Sequence, residues 1–211
     1  MTVEQRKRKE RSDKKKDCKP TIKYELYETL NRVSYITNTP LKTVGETFLI
    51  EGLSDKGVLD RFTDQFVFDY WYSPNMVYIG TGKMNDSRVL RVPYSNKKKV
   101  SLRLHQDYYN QLSAFAYSLN YTTTSGAAIL LEATTQNSLI IQRYIELHVE
   151  RTLDQKRKQQ LKEVIKYVNL HSDSELHYPL ASLIDLIVER FMKSSYNLKR
   201  AVDEYLDSLK D

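Results

Sequence analysis

Cysteine is almost missing: Cys18 is the one thiol among 211 residues, so no internal disulfide can form. Four histidines, His105, His148, His171 and His177, show no ligand spacing, which argues against a zinc site. Long apolar runs are absent too, and nothing approaches the ~20 residues that a membrane-spanning helix needs. The N-terminus is basic without an apolar stretch behind it, unlike a secretory leader. These absences predict a cytoplasmic protein with no membrane partner.

Recognisable catalytic groupings are scarce as well. Gly80-Thr81-Gly82-Lys83 has the texture of a phosphate loop, but Val77 stands where its first glycine belongs and Met84 replaces the hydroxyl residue. A hairpin turn is the simpler reading. No histidine lies near a serine or cysteine in a nucleophile motif, and Cys18 falls in the basic leader. Glu146, His148 and Glu150 alternate along a helical stretch and so do not share a face. The expectation is a protein that is not an enzyme, with no catalytic residue, metal or cofactor.

What is plentiful is charge, and it is clustered. The chain is 28% charged and 40% hydrophobic, with a net charge of +6, as suits a folded chain with a real core. Residues 1–23 hold ten Lys/Arg against four acids, and residues 83–105 hold seven against one, so each window is net +6. Residues 24–82 are net −4 and residues 173–211 net −3. Two concentrated basic windows point to a polyanionic partner more than an even excess would. A solvated leader is the plainer reading of the first.

Residues 1–20 have no regular apolar spacing and read as a disordered basic tail. Residues 21–27 then alternate, with Ile22, Tyr24 and Leu26 on one face, predicting a strand. Leu30, Val33 and Ile36 mark a helix. Thr39 and Pro40 open a second helix carrying Leu41, Val44, Phe48 and Leu49 and stopping near Gly52. The same order returns about 80 residues on. Residues 99–105 alternate, with Val100, Leu102 and Leu104 on one face. Asp107 can cap a helix with Leu112, Phe115 and Leu119, and a helix from Gly126 to Ala133 follows a Thr-rich turn. Each copy ends in an apolar run and a glutamate, Glu51 or Glu132, and the pair reads as an internal repeat.

The domain plan is therefore a tail over 1–20, a first unit over 21–53, a connector over 54–97, a second unit over 98–135 and a helical region over 136–211. The connector is expected to hold a hairpin of strands 76–81 and 88–94. The last region is expected to be helical over 139–153, from Leu161 onward, over 183–191 and in a final helix carrying Leu198 to Leu209. The fold class is mainly α with short β-strands.

The strand Lys99-Val100-Ser101-Leu102-Arg103-Leu104 with the turn Thr122-Thr123-Thr124-Ser125 resembles the ribbon-helix-helix superfamily of DNA-binding proteins. In that family two strands pair into an antiparallel ribbon that enters the major groove. The resemblance implies Lys99, Ser101 and Arg103 as base-facing residues. It implies phosphate contacts from the start of the second helix, at Thr123, Thr124 and Ser125. Beside it, chemistry alone makes Arg103 a two-pronged donor to guanine and Ser101 adaptable, while Lys97 and Lys98 can neutralise phosphates. The same pattern would also suit an edge strand guarded by Lys and Arg.

In the first unit the matching face is Thr21, Lys23 and Glu25, and a carboxylate facing phosphates departs from the pattern. That unit either completes an intrachain pseudo-dimer, the arrangement favoured here, or pairs with its twin in another chain. The expected function is sequence-specific binding of double-stranded DNA. The role would be a nucleoid-associated repressor or a plasmid or phage replication, transfer or partition accessory, acting as a homodimer or higher oligomer. The rival expectation is a protein interaction module whose tail touches nucleic acid without specificity.

Overall fold

The alternation of apolar and charged residues over 99–105 has a physical outcome: Val100, Leu102 and Leu104 are buried while Lys99, Ser101, Arg103 and His105 are exposed. The computed structural model describes residues 15–83, 96–148 and 155–171. In chain order the elements are strands β1 (Lys15–Cys18) and β2 (Thr21–Lys23), helices α1 (Tyr24–Thr37), α2 (Leu41–Ser54) and α3 (Lys56–Asp60), and a short 3-10 turn (Thr63–Gln65). Strands β3 (Tyr70–Ser73), β4 (Met76–Tyr78), β5 (Lys97–Lys99) and β6 (Leu102–His105) follow. Helices α4 (Gln106–Ser118), α5 (Thr123–Thr135), α6 (Ser138–His148) and α7 (Gln155–His171) close the series. The fold is mainly helical with short antiparallel strand pairs.

The chain divides into two units. The first comprises residues 1–30 and 41–134, and the second residues 31–40 and 135–211.

In the first unit, β1 pairs with β6 and β2 with β5, both antiparallel. Partners run from Lys15 opposite His105 to Lys23 opposite Lys97, and each pair of residue numbers adds to 120. The two short pairings are therefore one two-stranded ribbon with an unbroken register, interrupted where Pro20 lacks an amide. There the Val100 amide still donates to the Pro20 carbonyl, at 3.0 Å.

Each ribbon strand runs directly into its helix pair, and the two copies match at an offset of 82 residues. Strands end at Lys23 and His105, and second helices begin at Leu41 and Thr123. Both first helices stop at an asparagine with positive φ, Asn38 (52°) and Asn120 (61°). The same two bonds close them: Asn38 to the Tyr35 carbonyl and Thr39 to that of Ser34, then Asn120 to Tyr117 and Tyr121 to Ala116. This is the left-handed C-terminal cap that asparagine tolerates best after glycine.

The offset makes residue 19 equivalent to residue 101, and the register places these two at the centre of the ribbon. A pseudo-two-fold axis passes there. It passes again where α2 meets α5, because a Cβ on Gly52 would collide with the Thr134 hydroxyl, and Thr134 is the residue equivalent to Gly52. Gly45 of α2 lies against Leu102 of β6, where an added Cβ would stand 2.8 Å from Cδ2. Each copy thus helps to bury the other. Phe48, Leu49, Leu112, Phe115, Leu130 and Leu131 fill the space beneath the ribbon.

The connector docks on α4. Phe62 and Phe66 meet Phe115 edge-on, with centroids 5.2 and 6.1 Å apart, and the amides of Val67 and Phe68 both donate to the Ser118 carbonyl. Its hairpin is β3 with β4, joined through Pro74 and Asn75, so strand 76–81 pairs upstream; the expected strand 88–94 lies outside the described residues. The turn expected to follow the Gly80–Gly82 segment lies outside the described residues, and the segment itself folds back on residues 66–69. Its Gly82 amide donates to the Val67 carbonyl at 3.0 Å, which leaves no phosphate cradle there.

In the second unit Asn137 caps α6, its side chain accepting from the amides of Leu139 and Ile140. Buried Ile140, Ile141, Tyr144 and Ile145 of α6, and Leu161, Val164, Ile165 and Val168 of α7, give each helix an apolar face. His148 ends α6, stacked on Tyr144 at 4.2 Å, and His171 ends α7, tilted against Tyr167 at 4.4 Å. The helices expected over 183–191 and 198–209 lie outside the described residues.

Candidate nucleic-acid interface

Odd-numbered residues of the ribbon point outward. One strand contributes Lys15, Asp17, Lys19, Thr21 and Lys23, and the other Lys97, Lys99, Ser101, Arg103 and His105. All are exposed except Lys23 and Lys97, which are half-buried. Even-numbered Cys18, Pro20, Ile22, Val100, Leu102 and Leu104 seal the underside. Six Lys/Arg against one carboxylate make the outward face strongly basic.

Three contacts organise this face. Arg103 Nε donates to Asp17 Oδ1 across the strands at 2.9 Å, with both side chains more than half exposed. That ion pair adds little stability but restrains the guanidinium. The Arg103 amide, on the outer edge of β6, donates to Glu46 Oε1 of α2 at 2.8 Å, and Lys15 stands 3.6 Å from the same carboxylate. Lys23 Nζ reaches Glu132 of α5 at 2.6 Å, tying the far end of the ribbon down.

The structure brings the three residues expected to face bases, Lys99, Ser101 and Arg103, onto one exposed surface. Thr21 joins them opposite Lys99, and Lys23 stands opposite Lys97. Glu25 does not: it lies in the first turn of α1, where its charge complements the helix dipole, so it is withdrawn from the ribbon face. Lys98 has inward parity at the ribbon end and stays exposed, with its ammonium 5.9 Å over the Tyr24 ring. At the start of α5 the Thr122 hydroxyl accepts from the Ser125 amide at 3.3 Å, which occupies one of the donors expected to meet phosphate. The hydroxyls of Thr124 and Ser125 lie 3.1 and 2.9 Å from that of Thr122. Asp107 sits in the first turn of α4, with His105 as the capping position.

The missed residues are Lys15, Asp17 and Lys19. The strand begins inside the segment read as tail, and Cys18 is buried in it. Burial pushes the Cys18 thiol up to about 11, as expected for a structural thiol and not a nucleophile. Among the described residues no group of three or more His, Cys, Asp or Glu could hold a metal ion. Among them, too, no helix is long and apolar enough to cross a membrane.

Comparison of the chain with protein-family models, curated proteins and solved structures finds no match.

Proposed function

We propose that this chain is a sequence-specific double-stranded DNA-binding protein that inserts its ribbon into the major groove. The supporting observation is the two-stranded ribbon with a sealed apolar underside and an outward face of Lys15, Lys19, Lys99, Ser101 and Arg103. A B-form major groove, about 12 Å wide, accepts a two-stranded ribbon and offers the donor and acceptor pattern that such side chains read. Two strand–helix–helix segments with antiparallel partner strands also support the resemblance to ribbon-helix-helix proteins. Lysines at both ends of the ribbon supply phosphate attraction. The biological role that follows is a repressor or a replication, transfer or partition accessory.

The test is retention of sheared genomic DNA by the purified chain at ~150 mM salt, where phosphate-only binding is weak. A few sharp peaks sharing a short element are expected. Flat enrichment overturns the proposal.

A second reading, a protein interaction module, draws on exposed Leu139, Leu147 and Leu170 of the second unit. It predicts a salt-sensitive affinity without sequence preference, carried by residues 1–14.

A further inference from the structure

The backbone of the ribbon is pseudo-symmetric, but its outward side chains are not. At an offset of 82 residues, Lys15 matches Lys97, Asp17 matches Lys99, Lys19 matches Ser101, Thr21 matches Arg103 and Lys23 matches His105. Across the strands, one end therefore groups Lys15, Asp17, Arg103 and His105, and the other groups Thr21, Lys23, Lys97 and Lys99. With histidine neutral, the first end carries two positive charges and one negative, net +1. The second carries three positive charges, net +3.

Resting on the DNA-binding reading above, we propose that one chain reads a single non-palindromic duplex site, with base recognition concentrated at the Asp17–Arg103 end. At that end Arg103 gives its Nε–H to Asp17 and keeps the four N–H groups of its terminal nitrogens, two of which match O6 and N7 of guanine. The second oxygen of Asp17 can accept from the amino group of cytosine. A G·C-containing step fits this end. The other end offers three ammonium groups, point charges without a fixed fork, and a threonine that suits any base. It holds the duplex more than it reads it.

A palindrome would present the same edge to Asp17 and to Lys99. One needs a donor and the other an acceptor, so a two-fold duplex satisfies one and opposes the other. It would likewise present the same edge to Arg103 and to Thr21, and waste the guanine at the second.

The experiment is selection from a random duplex library at ~150 mM salt with the full chain. The wild-type motif is expected to lack inverted-repeat symmetry and to carry most of its information, including a G·C pair, in one half. Asp17→Lys with Thr21→Arg gives both ends the same lysine and arginine at exposed positions, and should convert the motif to an inverted repeat. Arg103→Ala should erase information from one half only and lower affinity for the wild-type site by about tenfold. A palindromic wild-type motif, an unchanged motif in the double variant, or equal loss from both halves in the alanine variant overturns the inference. Absence of any wild-type motif defeats the DNA-binding proposal itself. Retained helical circular dichroism in each variant separates recognition from folding.

Discussion

At the scale of single residues, the chemistry of the ribbon turns on which side of it a side chain lies. Arg103 is exposed and paired to Asp17, so Arg103→Ala should leave stability nearly unchanged while costing ~1–3 kcal/mol at a preferred duplex site. A fluorescence titration against specific and scrambled duplexes checks this, and equal affinities for wild type and variant would remove Arg103 from base reading. One residue further in, Cys18 behaves oppositely. Its thiol pKa rises from 9.0 to about 11 because the buried sulfur resists ionisation. A raised pKa favours the protonated form in the fold, so its stabilisation is full below about pH 9 and is lost as pH climbs toward 11. The loss is on the order of 2 kcal/mol. A Cys18→Ser chain should show a shallower decline in urea midpoint over that range. In the native wild type, thiol reagents at pH 8 should label Cys18 far more slowly than in denaturant.

At the scale of elements, close approaches between helices set the geometry. Gly126 of α5 lies against Ala116 of α4, where a Cβ would fall 2.5 Å from the Ala116 Cβ and 3.0 Å from its Cα. Gly126→Val must part the two helices, and a loss of ~1–3 kcal/mol in stability, read from the urea midpoint, is expected. The second copy's strand was legible because Val100, Leu102 and Leu104 alternate cleanly with charge. The first copy's was legible only from Thr21 onward, because its earlier inward positions are Lys16, Cys18 and Pro20, of which lysine and proline carry no strand signal. The alternation of Ile22, Tyr24 and Leu26 misled for a definite reason. Ile22 and Leu26 are both buried, but four residues is also one helical turn, and Tyr24 between them is exposed. The strand ends at Lys23 and the helix starts at once. The glutamates taken to mark the repeat, Glu51 and Glu132, are one position out of step; the asparagine caps mark it better. The hairpin's position follows from Pro74 and Asn75, a turn signal set among aromatics.

At the scale of the whole chain, the DNA-binding proposal predicts that charge outside the ribbon tunes affinity. Residues 2–13 hold five Lys/Arg and three acids, and their removal stops short of β1. Binding of that shortened chain should weaken on all duplexes alike and show a smaller salt dependence, by about 0.9 in log–log slope for each phosphate that the removed residues neutralise. Its preferred motif should not change. A cut that reached Lys19 would instead remove a ribbon strand and the buried Cys18, and should abolish specific binding and stability together. The repeat and the basic windows were visible in the sequence. The pairing of the two units within one chain is the arrangement the sequence favours, and the register bears it out. That the ribbon starts as early as Lys15 was not legible, because the first strand lies inside the basic segment read as tail.

The unbroken register between residues 15–23 and 97–105 has a consequence for dosage. A ribbon shared by two chains dissolves on dilution, so its occupancy falls with the square of protein concentration below the dimerisation constant. A ribbon completed inside one chain forms by a unimolecular step and persists at any copy number. Under the DNA-binding proposal, occupancy of a duplex site is expected to follow the first power of concentration, without a threshold. Each outward position is also encoded once, so under the DNA-binding proposal a substitution at one of them alters one end of the target and leaves the other as it was.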